Sequence, residues 1–492
     1  MFYANHPIDR LSQRLSNLNL SIDRLTLFSF MWGFAALVHM EVFFDWLIGP
    51  NYAGYALFAS IIVLLLRPTS ITALMVMITL NILYSITRMP YKVNHILFED
   101  MVNLTIIAAF IRTWYVARRR ARAGKPIEDF RELFFSTFAP VVRVELVLLY
   151  GFATIAKLNA DFFDLAISCA AIMTNDIIDT YSVLAPLNGL PGMGFMAVWG
   201  TLVIEGALAI GLFFRRTRMA AIVIGLPFHF MLGFHPIDGV YSFSTLIYAL
   251  YALFVSREFV AELSTTLNRI IHAAWLQQNL KRLVLGAGIV IAVGVTAAVI
   301  GYVNMGMPAF YALDTIGFTI WSTTFTAMYL YVFWRVRQRT CMQPIFPKVG
   351  WVWALVGIVL LNGFSPYLGF KTQTSFTMFS NLRTEQHANH LFIPDVKLAD
   401  FQLNLIQITE SDHPTFDTYI EEDLLLTEFE FERLVNTTPD DFQITYTQSG
   451  ETHTVQNLNG VTTLTPAVYS PLAGRLISFR PVYAGDTMFC RH

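Results

Sequence analysis

Residues 283–303 form an unbroken apolar run without a single charged side chain. A transmembrane α-helix needs about 20 consecutive, largely apolar residues, so this run is long enough to cross a bilayer. The whole chain has the same character, because 55% of its 492 residues are hydrophobic and only 14% are charged, against roughly 25% charged in soluble domains. The sequence therefore predicts an all-α polytopic membrane bundle.

Apolar runs of helical length recur through residues 1–370, which we predict to form one transmembrane helical domain of about eleven spans. The predicted spans are 25–48, 52–66, 70–87, 96–117, 138–157, 195–214, 218–234, 241–256, 283–303, 315–334 and 350–369. The polar residues through Arg24 lack the apolar core of a cleavable signal peptide. We therefore expect the first span to act as the insertion signal.

Basic residues concentrate in alternate loops, and positive residues are retained on the cytoplasmic side of a membrane. With the N-terminus inside, only Arg88 and Lys92 break this pattern. The basic residues of the inner loops are Arg67, Arg118, Arg119, Arg120, Arg122, Lys125, Arg215, Arg216, Arg218, Arg335, Arg337, Arg339 and Lys348. We therefore expect a multi-pass plasma-membrane protein with a cytoplasmic N-terminus and an extracytoplasmic C-terminal domain.

Residues 257–282 place apolar side chains at helical spacing opposite polar ones. This pattern favours an amphipathic helix. Two interpretations fit it equally well: a helix lying on the inner membrane surface, or a connector packed on the bundle.

Beyond residue 370 the composition becomes polar and the apolar runs shorten. Residues 401–409, 442–448, 451–458 and 476–483 alternate as strands do, with a hairpin turn at Ser449 and Gly450 and a short helix over 427–438. The sequence predicts that 371–492 form a small β-rich soluble domain. Cys169 and Cys490 both fall on the predicted outer side, where they could pair.

Ionisable groups inside spans are costly unless they face a bundle interior or water, so they are candidates for function. His39 and Glu41, Asn94 and His95, Lys157, and His229 all fall in the outer halves of their predicted spans. This shared depth predicts one pocket. Each residue also has a structural interpretation: Lys157 can extend to the interface, His95 can cap its helix or pair with Glu99, and His39 can pair with Glu41.

Lys157 carries the most suggestive chemistry. Its neighbours Ile155, Ala156 and Leu158 are apolar, and loss of hydration disfavours an ammonium ion. A neutral amine can take a proton from an acidic hydroxyl, while histidine and asparagine side chains hold the resulting oxyanion. No metal site is predicted, since the sequence has no HExxH motif and no ligand spacing.

Four segments resemble one known family. The run from Tyr150 to Asp161 (YGFATIAKLNAD), the Asn94–His95 pair, and His229 followed by the segment from Tyr241 to Ser244 resemble motifs of the vitamin K-dependent γ-glutamyl carboxylases. They also resemble the wider bacterial family with a horizontally transferred transmembrane domain. Residues 364–385, with the HANHLFIP that follows, resemble the segment after the helical domain in bacterial members.

This resemblance implies a lysine base acting on a reduced, vitamin K-like quinone, with possible coupling to carboxylation of a peptide. Lys157 would be that base, Asn94, His95 and His229 would support it, and His39, Glu41 and Tyr241 would contact substrate. The chain departs from the carboxylases at Ala156, where they carry a second lysine. It also lacks a counterpart of their large lumenal region.

Two other functions stay open at this point. In a transporter component, Glu205, Glu41 and His39 would mark a path through the bilayer. In an export or maturation factor, the β-rich domain would hold a peptide. The expected partners are the lipid bilayer and an exported peptide or protein, and no nucleic acid; the sequence does not define the oligomeric state.

Overall fold

The computed structural model describes residues 19–43, 51–126, 129–237, 239–276, 278–279, 282–283, 285–286, 308–337, 345–346, 350–394, 396–464 and 471–491. The helices of the first 370 residues are α1 (Arg24–Val42), α2 (Tyr52–Leu66), α3 (Ile71–Thr87), α4 (Asn94–Arg122), α5 (Phe130–Ala156), α6 (Ala160–Phe163), α7 (Cys169–Thr180), α8 (Met193–Phe213), α9 (Arg218–Leu232), α10 (Val240–Tyr251), α11 (Arg257–Ile271), α12 (Pro308–Val336) and α13 (Trp353–Phe364). Short 3₁₀ helices cover Ser182–Leu187, Ala252–Phe254, Gly350–Val352 and Pro414–Phe416.

Helices occupy every predicted span except 283–303, most of which lies outside the described residues. Among the residues that the structure describes, four helical segments are long and apolar enough to cross a membrane: Arg24–Val42, Phe130–Ala156, Met193–Phe213 and Thr315–Val336. The same residues include five shorter apolar helices. A mostly helical fold with candidate spans is thus confirmed, whereas a total of eleven crossings stays a prediction.

The chain divides into two compact units. Unit 1 comprises Met1–Met77, Arg112–Pro140 and Ile222–Pro344, and unit 2 comprises Ile78–Ile111, Val141–Ala221 and Ile345–His492.

In unit 1, helix α1 packs closely on α2. A Cβ atom on Gly33 would lie 3.1 Å from Leu64 Cδ2, so glycine permits the close backbone approach that stabilises helix pairs in lipid. Phe28 of α1 also packs on Trp32 and Phe138, with ring centroids 5.3 and 5.2 Å away. Close packing therefore joins α1 to α2 through Gly33 and to α5 through Phe28.

The predicted amphipathic segment forms α11. Ser256 caps the helix by accepting a hydrogen bond from Phe259 N, and Phe259 packs on Tyr329 of α12 at a centroid distance of 5.0 Å. The Asn268 side chain accepts from Leu20 N at 2.7 Å and so secures the chain that leads into α1. The helix is confirmed, and these contacts show that it is packed on its neighbours as the connector interpretation required.

In unit 2, α5 packs on α13. Val141, Val352 and Val356 form one buried cluster, and Phe152 meets Phe364 edge-on at 4.9 Å. Gly363 is required at this crossing, because a Cβ atom there would lie 2.2 Å from the Phe152 ring.

The C-terminal region folds into strands β1 (Leu405–Ser411), β2 (Leu424–Thr427), β3 (Phe442–Gln448), β4 (Glu451–Leu458), β5 (Val461–Thr462) and β6 (Val482–Tyr483), with helices α14 (Asp417–Glu421), α15 (Glu428–Thr437) and α16 (Pro471–Leu476). The strands form one antiparallel sheet in the order β5-β4-β3-β1-β2-β6. Alternate residues such as Ile444 and Tyr446 enter its core, which α15 covers with Phe431 and Val435.

The β-rich prediction is confirmed in its main features. The hairpin turns at Ser449 and Gly450, which have φ angles of 53° and 85°, the left-handed values that a two-residue loop needs. Residues 401–404 are wrong as a strand because they form turns, and within 476–483 only Val482 and Tyr483 pair in the sheet. The domain boundary at residue 370 stays a prediction.

Candidate functional site

Lys157 directly follows the last residue of α5 and is buried, with only 3% of its surface exposed. Its Nζ lies 2.8 Å from Glu205 Oε2 on α8. The same Nζ donates to the carbonyl oxygen of Met378 at 3.1 Å and to that of Ala153 at 3.4 Å. The interpretation that Lys157 extends to the membrane interface is therefore wrong, because its amine points to buried oxygens.

The partner carboxylate sits well inside its helix. Glu205 lies about 18 Å along α8 from Met193, at 1.5 Å per residue. A Cβ atom on the adjacent Gly206 would lie 3.6 Å from Thr154 Cγ2 of α5, so α8 and α5 are in close contact at this level. The apolar surroundings predicted for Lys157 are therefore incomplete: a carboxylate on the neighbouring helix faces the amine.

Residues 371–385, here called the site segment, supply the third oxygen around Lys157. This segment has no helix or strand, yet Ser375, Phe376 and Arg383 in it have no exposed surface. Four of its non-glycine residues have left-handed backbone angles, namely Thr374, Phe376, Phe379 and Asn381. Such conformations cost of order 1–3 kcal/mol each and concentrate at functional sites.

Three asparagines from separate elements hold the site segment in place. Asn94, the first residue of α4, accepts a hydrogen bond from Phe376 N at 2.7 Å. Asn362 of α13 donates to the Thr374 carbonyl oxygen at 2.9 Å. Asn159, just beyond Lys157, donates to the Ser380 carbonyl oxygen at 2.6 Å. The asparagines thus satisfy buried backbone groups that a helix or sheet would otherwise pair.

The C-terminal tail closes over the same segment. Cys169 and Cys490 form a disulfide, which confirms the pairing that the sequence allowed. Asn381 accepts from Cys169 N at 2.8 Å and donates to the Met488 carbonyl oxygen at 2.9 Å. The disulfide and this amide therefore join the start of α7, the site segment and the tail.

A buried polar group continues along α4 beyond Asn94. His95 is buried at the start of the helix, and Glu99, one turn further, accepts from Asn81 of α3 at 3.1 Å. Lys92 pairs with Asp100 at 2.8 Å. Lys92, which broke the charge pattern of the outer loops, is therefore buried beside a carboxylate.

Lys371 opens the site segment and donates to Thr374 Oγ1 at 3.2 Å. Burial, with a smaller contribution from the Lys92 ammonium, lowers the pKa of Lys371 to about 8. This amine therefore titrates close to physiological pH. It lies outside the apolar helices, next to the left-handed Thr374.

The other predicted site residues belong to unit 1. His229 is fully buried in α9, and its ring faces Phe243 and Tyr251 of α10 at 5.4 and 6.3 Å. Tyr241 donates to Glu41 Oε2 at 2.6 Å, and His39 is buried on α1. In the structure, Lys157 and Asn94 both hydrogen-bond to the site segment, and Tyr241 hydrogen-bonds to Glu41. A common pocket for all of them stays a prediction.

Sequence reasoning did not pair Lys157 with Glu205, although a signal was present: ionisable groups inside spans usually pair with one another. It also gave no role to the site segment beyond a family resemblance. Among the residues that the structure describes, no group of three or more His, Cys, Asp or Glu side chains could hold a metal ion.

The chain matches no protein-family model, no curated protein and no solved structure.

Proposed function

We propose that this chain is a membrane enzyme, resembling the γ-glutamyl carboxylases, that removes a proton from an acidic hydroxyl of a lipophilic substrate. The observation that carries the proposal is the buried pair of Lys157 and Glu205, with Nζ and Oε2 2.8 Å apart. A buried amine beside a carboxylate is a combination that can take and return a proton without water. In surroundings of low dielectric constant, the charges of such a pair also act strongly on a bound substrate.

The residues of the chain divide the work as follows. A proton moves from Lys157 Nζ to Glu205 Oε2 within their ion pair and leaves a neutral amine. The amine then takes the hydroxyl proton of the substrate and becomes an ammonium ion again. Asn94 is a positioning residue, because it fixes the segment whose Met378 carbonyl oxygen aligns the amine.

This set of side chains fits a reduced quinone in chemical terms, because an amine paired with a carboxylate matches a weakly acidic hydroxyl. A reduced quinone would supply that hydroxyl when bound. Lys157 and Glu205 would face the hydroxyl, and we assign contacts with the rest of the substrate to His95 of the same unit. Coupling to carboxylation of an exported peptide is the further step that the resemblance suggests.

We also propose a multi-pass plasma-membrane location with the C-terminal sheet on the extracytoplasmic side. The disulfide between Cys169 and Cys490 supports this orientation, because disulfides persist in oxidising compartments and are rare in the cytosol. The concentration of arginine and lysine in the alternate loops supports it independently.

The experiment compares purified variants in lipid nanodiscs supplied with a reduced naphthoquinone and oxygen, with quinol loss followed by absorbance. We expect Lys157→Arg to lose at least about 100-fold in rate, since arginine keeps the charge opposite Glu205 but does not act as a base. Lys157→Arg thereby controls for loss of the ion pair. Full activity in Lys157→Arg would overturn the proposal, as would no quinol loss with wild-type protein.

A transporter is the second candidate, because a charged pair between two membrane helices also suits coupled ion movement. Flux measurements in proteoliposomes distinguish the transporter from the enzyme. Proton or ion flux that is lost in Glu205→Gln and kept in Lys157→Arg would favour transport. Mass spectrometry of molecules that purify with the full chain adds a further test: a bound quinone supports the enzyme, and a bound peptide supports an export or maturation factor.

A further inference from the structure

A second group of buried polar side chains in unit 2 includes Glu385, the last residue of the site segment, and supplies none of the oxygens around Lys157. Within the described part of the chain, hydrogen-bond partners are lacking for Tyr367 OH, Glu385 Oε1, Gln402 Oε1 and both Nε and Nη2 of Arg480. Tyr367 is 2% exposed, and Glu385 and Gln402 are fully buried. Folded proteins leave few such atoms unsatisfied, so a concentration of them indicates something that binds there.

A cavity of about 160 Å³ adjoins this group. Its walls are Ile155, Leu158, Tyr367, His390, Phe392 and Ile393. Five of these six side chains are uncharged aliphatic or aromatic groups. The sixth, His390, packs edge-on against the Tyr367 ring, with centroids 5.3 Å apart. A dry apolar cavity of about this size, roughly 150 Å³, accommodates a benzene ring.

The cavity is built into the fold. Leu391 N donates to the Leu158 carbonyl oxygen at 3.1 Å, and Ala160 N donates to that of Asn389 at the same distance. These bonds attach the wall that carries His390, Phe392 and Ile393 to the end of α5. Lys157 is not among the residues that line the cavity. The cavity is therefore distinct from the proposed catalytic site.

Tyr367 connects the cavity to Arg480. Tyr367 forms part of the cavity wall, and Arg480 lies within electrostatic range of both Tyr367 and Glu385. The two unsatisfied donors of Arg480, Nε and Nη2, form one edge of its guanidinium group. That edge binds a carboxylate through two parallel hydrogen bonds.

We infer that this cavity and Arg480 form a binding site for a small monocarboxylate whose apolar body is about the size of one ring. The ring would fill the space between Leu158 and Ile393. The carboxylate would accept from Tyr367 OH and from the Arg480 edge. A benzoate-like or short-chain aliphatic acid has this chemistry. The inference is independent of the function proposed for Lys157.

The test measures binding of 4-fluorobenzoate by ¹⁹F NMR to the full chain in nanodiscs, with empty nanodiscs as the blank. Tyr367→Phe removes only the hydroxyl, and we expect it to weaken binding about 10- to 100-fold, the loss of one hydrogen bond to a charged group. Ile393→Trp fills the cavity and should abolish binding. Tyr446→Phe, in the sheet core, is the matched control and should bind as wild type does.

Two results would overturn the inference. The first is the absence of saturable binding to wild-type protein. It would mean that water alone satisfies the hydrogen bonds of the buried polar side chains. The second is binding that survives Ile393→Trp or that is equally strong for uncharged fluorobenzene. Because Ile393→Trp and Tyr367→Phe leave Arg480 in place, the test does not depend on an arginine variant that fails to fold.

Discussion

Units 1 and 2 each bury a candidate base, but they surround it differently. His229 in unit 1 has aromatic rings of α10 around it, at 5.4 and 6.3 Å. Lys157 in unit 2 has a carboxylate and two backbone carbonyl oxygens within 2.8 to 3.4 Å. Burial alone therefore does not distinguish a functional amine from a packed imidazole. The function proposed for Lys157 rests on the oxygens around it, since they bind the proton that the proposed chemistry must move.

The largest effect is expected when each candidate base is replaced in turn. Lys157→Met should destabilise the protein by about 3–5 kcal/mol, because Glu205 is then left buried without its partner. His229→Phe should cost less than Lys157→Met, because phenylalanine keeps an aromatic ring beside Phe243 and Tyr251 and leaves no buried carboxylate unpaired. Thermal unfolding in detergent measures both. Adding Glu205→Met to Lys157→Met should restore most of the loss; equal costs for the two single variants would refute the contrast.

Removing the disulfide between Cys169 and Cys490 tests how strongly the site segment depends on the covalent link between α7 and the C-terminal tail. Cys490→Ser should cost about 2–4 kcal/mol, because the bond closes a long loop in the unfolded chain. Cys169→Ser alone and the double variant should show the same fall in melting temperature, since each removes one and the same bond. A double variant twice as unstable as either single one would mean that the thiols act separately.

Glycine substitutions test whether the two units are packed equally tightly. A Cβ atom would lie 2.2 Å from the Phe152 ring at Gly363 in unit 2, and 2.1 Å from the Phe318 ring at Gly233 in unit 1. Alanine at either position should cost about 1–3 kcal/mol. At Gly357 a Cβ atom meets nothing within 4 Å, so Gly357→Ala is the control and should not destabilise. Melting temperatures measure the three variants. Equal falls for Gly363→Ala and Gly233→Ala would mean that the units are packed equally tightly and differ only in the polar groups around the buried base.

The smallest predicted effect is a pH dependence in unit 2. The folded pKa of Lys371 is about 8, below its ordinary value of 10.5, so between these values the unfolded chain holds the proton more often than the folded one. Stability therefore rises from about pH 8 toward 10.5, by about 1–3 kcal/mol for this half-buried group. Below pH 8 the penalty for charging the amine is fully present. Melting curves of wild type minus Lys371→Met should show this rise, and a flat difference would contradict it.

Hydropathy located the helices because an apolar run of fixed length is a local property. The bounds of α2, Tyr52–Leu66, coincide with the predicted 52–66. The hairpin at Ser449 was equally readable, since Ser-Gly between alternating runs is a local turn signal. Features that depend on neighbouring residues in the chain could thus be predicted well.

The site itself depends on contacts between distant parts of the chain. Asn94 contacts Phe376, 282 positions away in the chain, and Cys169 bonds to Cys490, 321 positions away. The site segment has no periodicity, because its buried backbone groups bond to side chains rather than to one another. Sequence patterns singled out Lys157, while the carboxylate opposite it became visible only once α5 and α8 were packed together.

The edges of the C-terminal sheet bear on how copies of this protein behave when crowded. The sheet ends on both sides in strands of only two residues, β5 and β6. Strands this short offer few free amide and carbonyl groups for another chain to pair with, which is one way in which proteins limit strand addition between crowded copies. Strand addition onto β5 or β6 would therefore gain a neighbouring copy little.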